Sequence, residues 1–235
     1  MSRKNFHGKL YVVTGASRGI GREIARVLLQ RGAEVIGVGR SEDLLRRFKK
    51  EYASFSYIVS DLSQEGSGLE LASELEGMGV KGLINNAGYA WWGDPFRMPP
   101  SEVRRMTQLM FLTSVELSRA LIEDLKGGEV VNIISAVVHV RMKKLTVYGA
   151  VKTALHYYTL ASRPYYKKRG VHLMGVYPGP VRTEFFSHPS FPKNELFLER
   201  FAVSPERVAR AVIRGIERGS RSVYVPWYLR VMSFR

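Results

Sequence analysis

The sequence predicts one α/β domain over residues 1–235, built on a doubly wound parallel sheet of about seven strands with helices on both faces. Three observations carry that prediction. Short runs rich in valine and isoleucine alternate with longer segments of helical character along the whole chain. The strand-like runs are nearly continuous in apolar residues, as strands buried on both faces must be. No linker, repeat or low-complexity tract interrupts the series, and 235 residues suit one large domain.

The elements follow in order. Lys9–Thr14 reads as the first strand and runs through a glycine-rich turn into an amphipathic helix, Ile20–Arg31. The second strand, Glu34–Gly39, precedes a helix over Ser41–Tyr52, whose Glu42 and Asp43 are first-turn charges favoured by the helix dipole. Ser56–Ser60 is the third strand, Gly68–Gly77 a helix, and Gly82–Asn85 the fourth strand. One long helix is expected over Ser101–Leu125, then a strand over Glu129–Ser135 and a helix over Val147–Arg169. Val171–Tyr177 is the sixth strand. Ser204-Pro205-Glu206 opens the last helix, Pro205–Arg218, with a serine cap and a proline at the first position. Ser222–Val225 closes the sheet.

Composition narrows the function classes. The chain has no cysteine, which excludes disulfides and thiolate metal sites and fits a reducing cytoplasm or a heat-adapted source. No metal site is expected. The first residues, Met1–His7, are polar, with no apolar signal core, and no run of eighteen apolar residues occurs, so a soluble cytoplasmic protein is expected. The net charge of +15 is compatible with nucleic acid, an anionic membrane surface or acidic small molecules. Its arginines are scattered along helices, which favours a solvated basic surface. No zinc-knuckle spacing, aromatic RNA-binding strand or basic heptad accompanies the charge, so nucleic acid is not expected as a partner.

Chemistry enters at Thr14-Gly15-Ala16-Ser17-Arg18-Gly19-Ile20-Gly21. Glycines between a strand and a helix allow positive φ and close approach of a phosphate, and the helix N-terminus offers N–H groups and a positive dipole end. In this strand–turn–helix context the turn marks a Rossmann-like dinucleotide site. A second cluster is Tyr148-Gly149-Ala150-Val151-Lys152, with Ser135 thirteen residues earlier. Tyrosine and lysine four apart lie on one helix face, and an adjacent ammonium should lower the phenol's pKa towards neutrality. Ser135, at the end of an apolar strand, could hold a reacting oxygen. Taken alone, a Y-x-x-x-K spacing also occurs by chance in many helices.

The T-G-x-x-x-G-x-G spacing resembles the short-chain dehydrogenase/reductase family. Four further features stand in that family's order: Asp61-Leu62, Asn85-Asn86-Ala87-Gly88, Ser135 with Tyr148 and Lys152, and Pro178-Gly179-Pro180-Val181-Arg182-Thr183. The resemblance implies a nicotinamide dinucleotide cofactor held by Gly15, Ser17, Arg18, Gly19, Ile20 and Gly21. Asp61 and Leu62 would border the adenine, Asp61 accepting from its amine. Asn86, Ala87 and Gly88 would line the adenosine ribose. Pro178, Gly179, Val181 and Thr183 would hold the nicotinamide, and Lys152 its ribose. Ser135, Tyr148 and Lys152 would be catalytic, Tyr148 moving the proton and Ser135 stabilising the substrate oxygen. A homodimer or homotetramer is implied, joined through the helices at Ser101–Leu125 and Val147–Arg169.

Cofactor choice follows from charge. The second strand ends Val38-Gly39-Arg40-Ser41, with no carboxylate for a ribose 2′-hydroxyl. Arg18, Arg40 and Ser41 instead suit a 2′-phosphate, so NADP(H) is expected. One residue departs from the family pattern: Met110 stands where many members carry an asparagine that holds a water near the lysine. Thr107, Thr113 and Ser114, one turn away, are the candidates to substitute in part, and a weakly active or non-catalytic NADP(H)-binding sensor of the same fold is the alternative reading.

The substrate is expected to be an apolar or aromatic carbonyl or alcohol compound. Trp91, Trp92, His139, Met142 and Phe185 are the candidate lining residues, and 184–203, with Phe186, Phe191 and Phe197, is a candidate lid. The same aromatics could simply pack a lid or a subunit contact. The tail Trp227–Arg235 is apolar with interspersed arginines and too short to span a bilayer. Subunit docking or core packing is favoured for it ahead of a membrane surface.

Overall fold

Strands buried on both faces need helices on both, and the computed structural model, which describes residues 5–192 and 201–234, has that arrangement. The strands are β1 (Leu10–Thr14), β2 (Glu34–Gly39), β3 (Phe55–Val59), β4 (Val80–Asn85), β5 (Glu129–Ile133), β6 (His172–Pro178) and β7 (Ser222–Val225). All pair in parallel, in the order β3-β2-β1-β4-β5-β6-β7. The order reverses between β1 and β4, and the crevice at the carboxyl ends of a reversal is where such sheets bind ligands.

Side-chain alternation along each strand feeds two cores. Val13 of β1 joins Ile24 and Leu28 of α1 (Gly19–Gln30), Phe48 of α2 (Glu42–Glu51), and Val212 and Ile213 of α7 (Pro205–Glu217). Val12, its neighbour, faces the other side with Leu71 of α3 (Ser67–Leu75), Leu117 of α5 (Thr113–Ala120) and Tyr166 of α6 (Thr146–Lys168). α7 starts as its sequence requires: Ser204 Oγ accepts from the Arg207 N–H, with Pro205 in the first turn. Buried amides lock the second layer to the sheet. Asn85 Nδ2 donates to Asn132 Oδ1 (2.8 Å) and Ser118 Oγ (3.1 Å), and Asn132 Nδ2 donates to Thr159 Oγ1 (2.9 Å).

The segment Ser101–Leu125 is not one helix. α4 (Pro100–Thr107) passes through a π-helical turn, Gln108–Leu112, into α5, which ends at Ala120. A widened turn barely changes the apolar periodicity, so the sequence pattern reads straight through it. β5 ends at Ile133, two residues short of the expected strand, and Ser135 instead caps a 3₁₀ turn, Ala136–His139. Of the expected lid 184–203, residues 193–200, Phe197 among them, lie outside the described residues. Glu184–Ser187 forms a 3₁₀ turn, and Val181 pairs with Val203 in an isolated bridge.

Candidate active site

The glycine turn after β1 is set by backbone geometry. Gly15 and Gly19 have φ of +68° and +56°, and a Cβ on Gly21 would fall 2.3 Å from the Gly15 carbonyl oxygen. Larger residues at these positions would open the turn. α1 starts at Gly19 without a side-chain cap from Arg18 and without an acidic residue in its first turn. The positive end of a twelve-residue helix therefore faces the carboxyl edge of the sheet with no internal anion to neutralise it, which is the chemistry a pyrophosphate needs. Thr14 Oγ1 accepts from the N–H groups of Asn86 (2.9 Å) and Ala87 (3.0 Å), and the Asn86 amide donates to Thr14 O (2.9 Å). These bonds stitch the turn after β1 to the turn after β4.

A cavity of about 670 Å³ runs along this edge. At one end lie Arg18, Arg40 and Ser41, with Arg18 donating to Ser41 Oγ at 3.1 Å. Asp61 and Leu62 continue the wall. Burial alone would raise the Asp61 carboxyl, but hydrogen bonds from Ser63 and Gln64, and the Arg40 guanidinium, hold it below the usual range. Its Oδ1 accepts from Ser63 N (3.1 Å) and Oγ (2.7 Å), while Oδ2 faces Arg40 at 3.9 Å and Arg105 at 3.8 Å. The expected acceptor role towards an amine thus rests on an oxygen already flanked by two guanidinium groups. Arg105, on α4, belongs to no motif, which is why the sequence did not point to it. Gly88, Pro178, Gly179, Val181 and Thr183 line the stretch between the ends.

The other end holds Ser135, Tyr148 and Lys152. Ser135 Oγ accepts from Val137 N (3.1 Å), which fixes its rotamer. Tyr148 and Lys152 stand one turn apart on α6, both buried. The ammonium was expected to lower the phenol; the structure reverses this. Burial pushes Tyr148 up to about 12, with the Ser135 hydrogen bond pulling downwards. Lys152 is itself lowered by burial to about 7. Its Nζ donates to the Ile133 carbonyl at 2.7 Å and sits 5.9 Å from the centre of the Tyr148 ring. Desolvation outweighs the one-turn spacing that motivated the expectation.

The candidate substrate residues divide. Met142 and Phe185 line the cavity, and the Phe185 ring meets Tyr148 edge-on at 5.4 Å. His139 does not line it. Ala136, Val137 and Val140 line the cavity, whereas the His139 ring packs away from it, against His156, Tyr177 and Tyr224. Trp91 and Trp92 are also outside. They border a neighbouring surface cleft with Arg97, Lys144 and His188, where the Trp92 N–H donates to Ser190 Oγ (2.8 Å). Leu229, from the C-terminal segment, lines the main cavity instead.

Met110 is buried in the π-helical turn among Ala90, Met106, Val137 and Tyr148. Its Sδ lies where it would meet a Cβ on Gly88 at 3.0 Å. None of the three nearby hydroxyls replaces an asparagine. Thr107 donates to Val103 O, Thr113 to Leu62 O and Ser114 to Met110 O, so each proton is already committed to the backbone.

Comparison with known proteins agrees with this architecture. A sequence model of the family described as short chain dehydrogenase matches residues 9–191. The 3-ketodihydrosphingosine reductase of Bos taurus is 31% identical over 231 residues, 91% of this chain and 70% of that protein. Two solved structures share the fold. A short-chain dehydrogenase from Sphingobium yanoikuyae in complex with NADPH has a TM-score of 0.84 at 22% identity, over 96% of this chain and 92% of its own. One from Burkholderia phymatum in complex with NAD has a TM-score of 0.86 at 20% identity, over 99% and 94%.

Proposed function

The chain belongs to the short-chain dehydrogenase/reductase family, and on that premise we propose that it is an NADP(H)-dependent oxidoreductase acting on a carbonyl or alcohol carbon. One observation carries the reading. Ser135, Tyr148 and Lys152 stand on the wall of a single cavity that also reaches the glycine turn. The uncapped, acid-free start of α1 supports a pyrophosphate beside Gly15, Ser17, Gly19 and Ile20. When bound, the nicotinamide supplies or receives the hydride.

This chain's own residues do the rest. The Ser135 hydroxyl donates a hydrogen bond to the substrate oxygen, which gains negative charge in the transition state. Tyr148, at about 12, is protonated across the neutral range and gives its proton to that oxygen during reduction. Alcohol oxidation needs the phenolate and therefore speeds up as pH rises. Lys152 holds a ribose hydroxyl and helps to restore the Tyr148 proton.

Relatives bind either dinucleotide, so cofactor preference rests on local charge. Arg18, Arg40 and Ser41 gather at one end of the cavity, and β2 ends without a carboxylate, which supports a 2′-phosphate. Met142, Leu145, Phe185 and Phe186 support an apolar carbonyl substrate. The named activity of the bovine relative, a 3-ketodihydrosphingosine reductase, points the same way. Exposed apolar residues on α4 to α6, Val103, Tyr157 and Tyr165 among them, support a homo-oligomer. A cytoplasmic location is part of the same proposal.

The test is NADPH oxidation with a panel of aldehydes, ketones and diketones. Turnover of apolar ketones with NADPH, and poorer turnover with NADH, is the expected result. A second reading has one observation in its favour, the apolar Met110 with all three neighbouring hydroxyls committed elsewhere. Tight NADPH binding with no turnover of any carbonyl would replace the enzyme by a sensor.

A further inference from the structure

Several strongly exposed apolar side chains follow the strand ends that hold the cavity. Phe96 is 96% exposed, Trp227 76%, Val231 67% and Tyr228 53%, so core packing is not what these residues do. Phe96 follows β4, the exposed Val140 follows β5, and Trp227–Val231 follows β7. In a parallel sheet those strand ends share one edge, the edge that holds the cavity. The segments are joined. Gly93 N donates to Lys144 O at 2.9 Å, and the C-terminal turn packs on Ala136–His139. Leu229 points the other way from its exposed neighbours, lining the cavity against Gly179.

Cations interleave with this apolar rim. Arg97 follows Phe96; Arg141, Lys143 and Lys144 follow Val140; Arg230 precedes Val231. Within segments 93–98, 140–145 and 227–231 those five cations meet a single acidic residue, Asp94. Aromatic rings beside arginine and lysine match a bilayer interface, where rings sit at headgroup depth and cations meet lipid phosphates. A second copy of the chain fits less well, because a two-fold contact would set this cationic rim against itself.

We propose that this rim docks the protein, without spanning, on an anionic bilayer surface, so that the cavity opens towards the acyl region and takes a carbonyl lipid from the membrane. The substrate half rests on the oxidoreductase reading above; the docking half does not. Bound there, the apolar rim is desolvated, and the net charge of +15 steers the approach.

The test is co-sedimentation of the full chain with vesicles of phosphatidylcholine alone or with about one third phosphatidylglycerol, at low and high salt. Binding to the anionic vesicles is expected. The triple variant F96S/W227S/V231S should bind at least ~10-fold more weakly, with unchanged melting temperature and unchanged turnover of a small water-soluble ketone. No binding to anionic vesicles overturns the proposal, and so does a triple variant that binds like the wild type, since charge alone would then account for it. A triple variant that turns a dimer into a monomer on a sizing column makes the rim a subunit contact and overturns it too. Vesicle binding by a protein inactive on every ketone refutes the oxidoreductase reading and keeps the docking; an active protein that stays in the supernatant does the reverse.

Discussion

Replacing Lys152 by methionine is expected to stabilise the fold at neutral pH while abolishing turnover. Lys152 is 4% exposed, and burial lowers its amine from 10.5 to about 7. The unfolded chain keeps the ordinary amine, so between about pH 7 and pH 10.5 it binds more protons than the folded state, and stability rises with pH across that window. Below the window both states are charged and the whole penalty stands; above it both are neutral and the penalty is gone. The lowering corresponds to a penalty of about 5 kcal/mol at most. Methionine keeps the stem and removes the titration. It also loses the 2.7 Å bond to the Ile133 carbonyl, and a stranded buried acceptor costs about 1–3 kcal/mol.

The net gain at pH 7 is therefore about 2–4 kcal/mol, or roughly 4–16 °C in melting temperature for a domain of this size. Near pH 10 most of the penalty has vanished, and the variant should be the less stable protein by the lost hydrogen bond. Urea unfolding of both proteins at pH 7 and pH 10, followed by tryptophan fluorescence, measures this directly. A stability difference independent of pH, or a wild type that is the more stable at pH 7, would refute the reasoning and mean that Lys152 is better solvated than its position implies.

Three further outcomes are expected. Tyr148→Phe keeps the ring against Phe185 and removes the proton, so turnover should fall by ~10²-fold or more with NADPH affinity retained; near-normal turnover would remove Tyr148 from the chemistry. Arg18→Ala removes a charged donor beside Ser41 and should cost NADPH about 1.5–3 kcal/mol in kcat/KM while leaving NADH nearly unchanged; equal losses for the two cofactors would count against a 2′-phosphate site. Met110→Asn places an amide among Ala90, Met106 and Val137, lowering stability by about 1–3 kcal/mol and raising turnover where proton supply limits it; an unchanged rate and solvent isotope effect would show that supply does not pass this position.

The sequence made the architecture legible because each β–α unit carries its own signal. Val12 and Val13 face opposite cores from adjacent positions in β1, and no alternation of polar residues could have said otherwise. The glycine turn marked the dinucleotide edge after β1, where Gly15, Gly19 and Gly21 admit no larger residue, but the pairing order and the reversal between β1 and β4 carry no local signal. Side-chain direction inside irregular turns was not legible. His139 and Val140 are adjacent, yet only Val140 faces the cavity, because a 3₁₀ turn of four residues leaves no periodic trace. The π-helical turn at Gln108–Leu112 was invisible for the related reason that one widened turn shifts the apolar stripe by too little to read.

The protonation states at Tyr148 and Lys152 were illegible for a different reason. Spacing on α6 puts the two side chains on one face, but the sign of their pKa shifts depends on what covers that face. Strand β5 and the 3₁₀ turn after it close over both residues, so desolvation, which spacing does not encode, decides the outcome. Met110 packs in the same cluster as Tyr148 and Val137, and the hydroxyls of Thr107, Thr113 and Ser114 are turned to carbonyls. The low Lys152 amine and the high Tyr148 phenol are therefore two consequences of one apolar wall. Adding a polar group at position 110, in the cluster that buries Tyr148, should move the phenol back down towards its ordinary value, read as a shift to lower pH in the rate of alcohol oxidation.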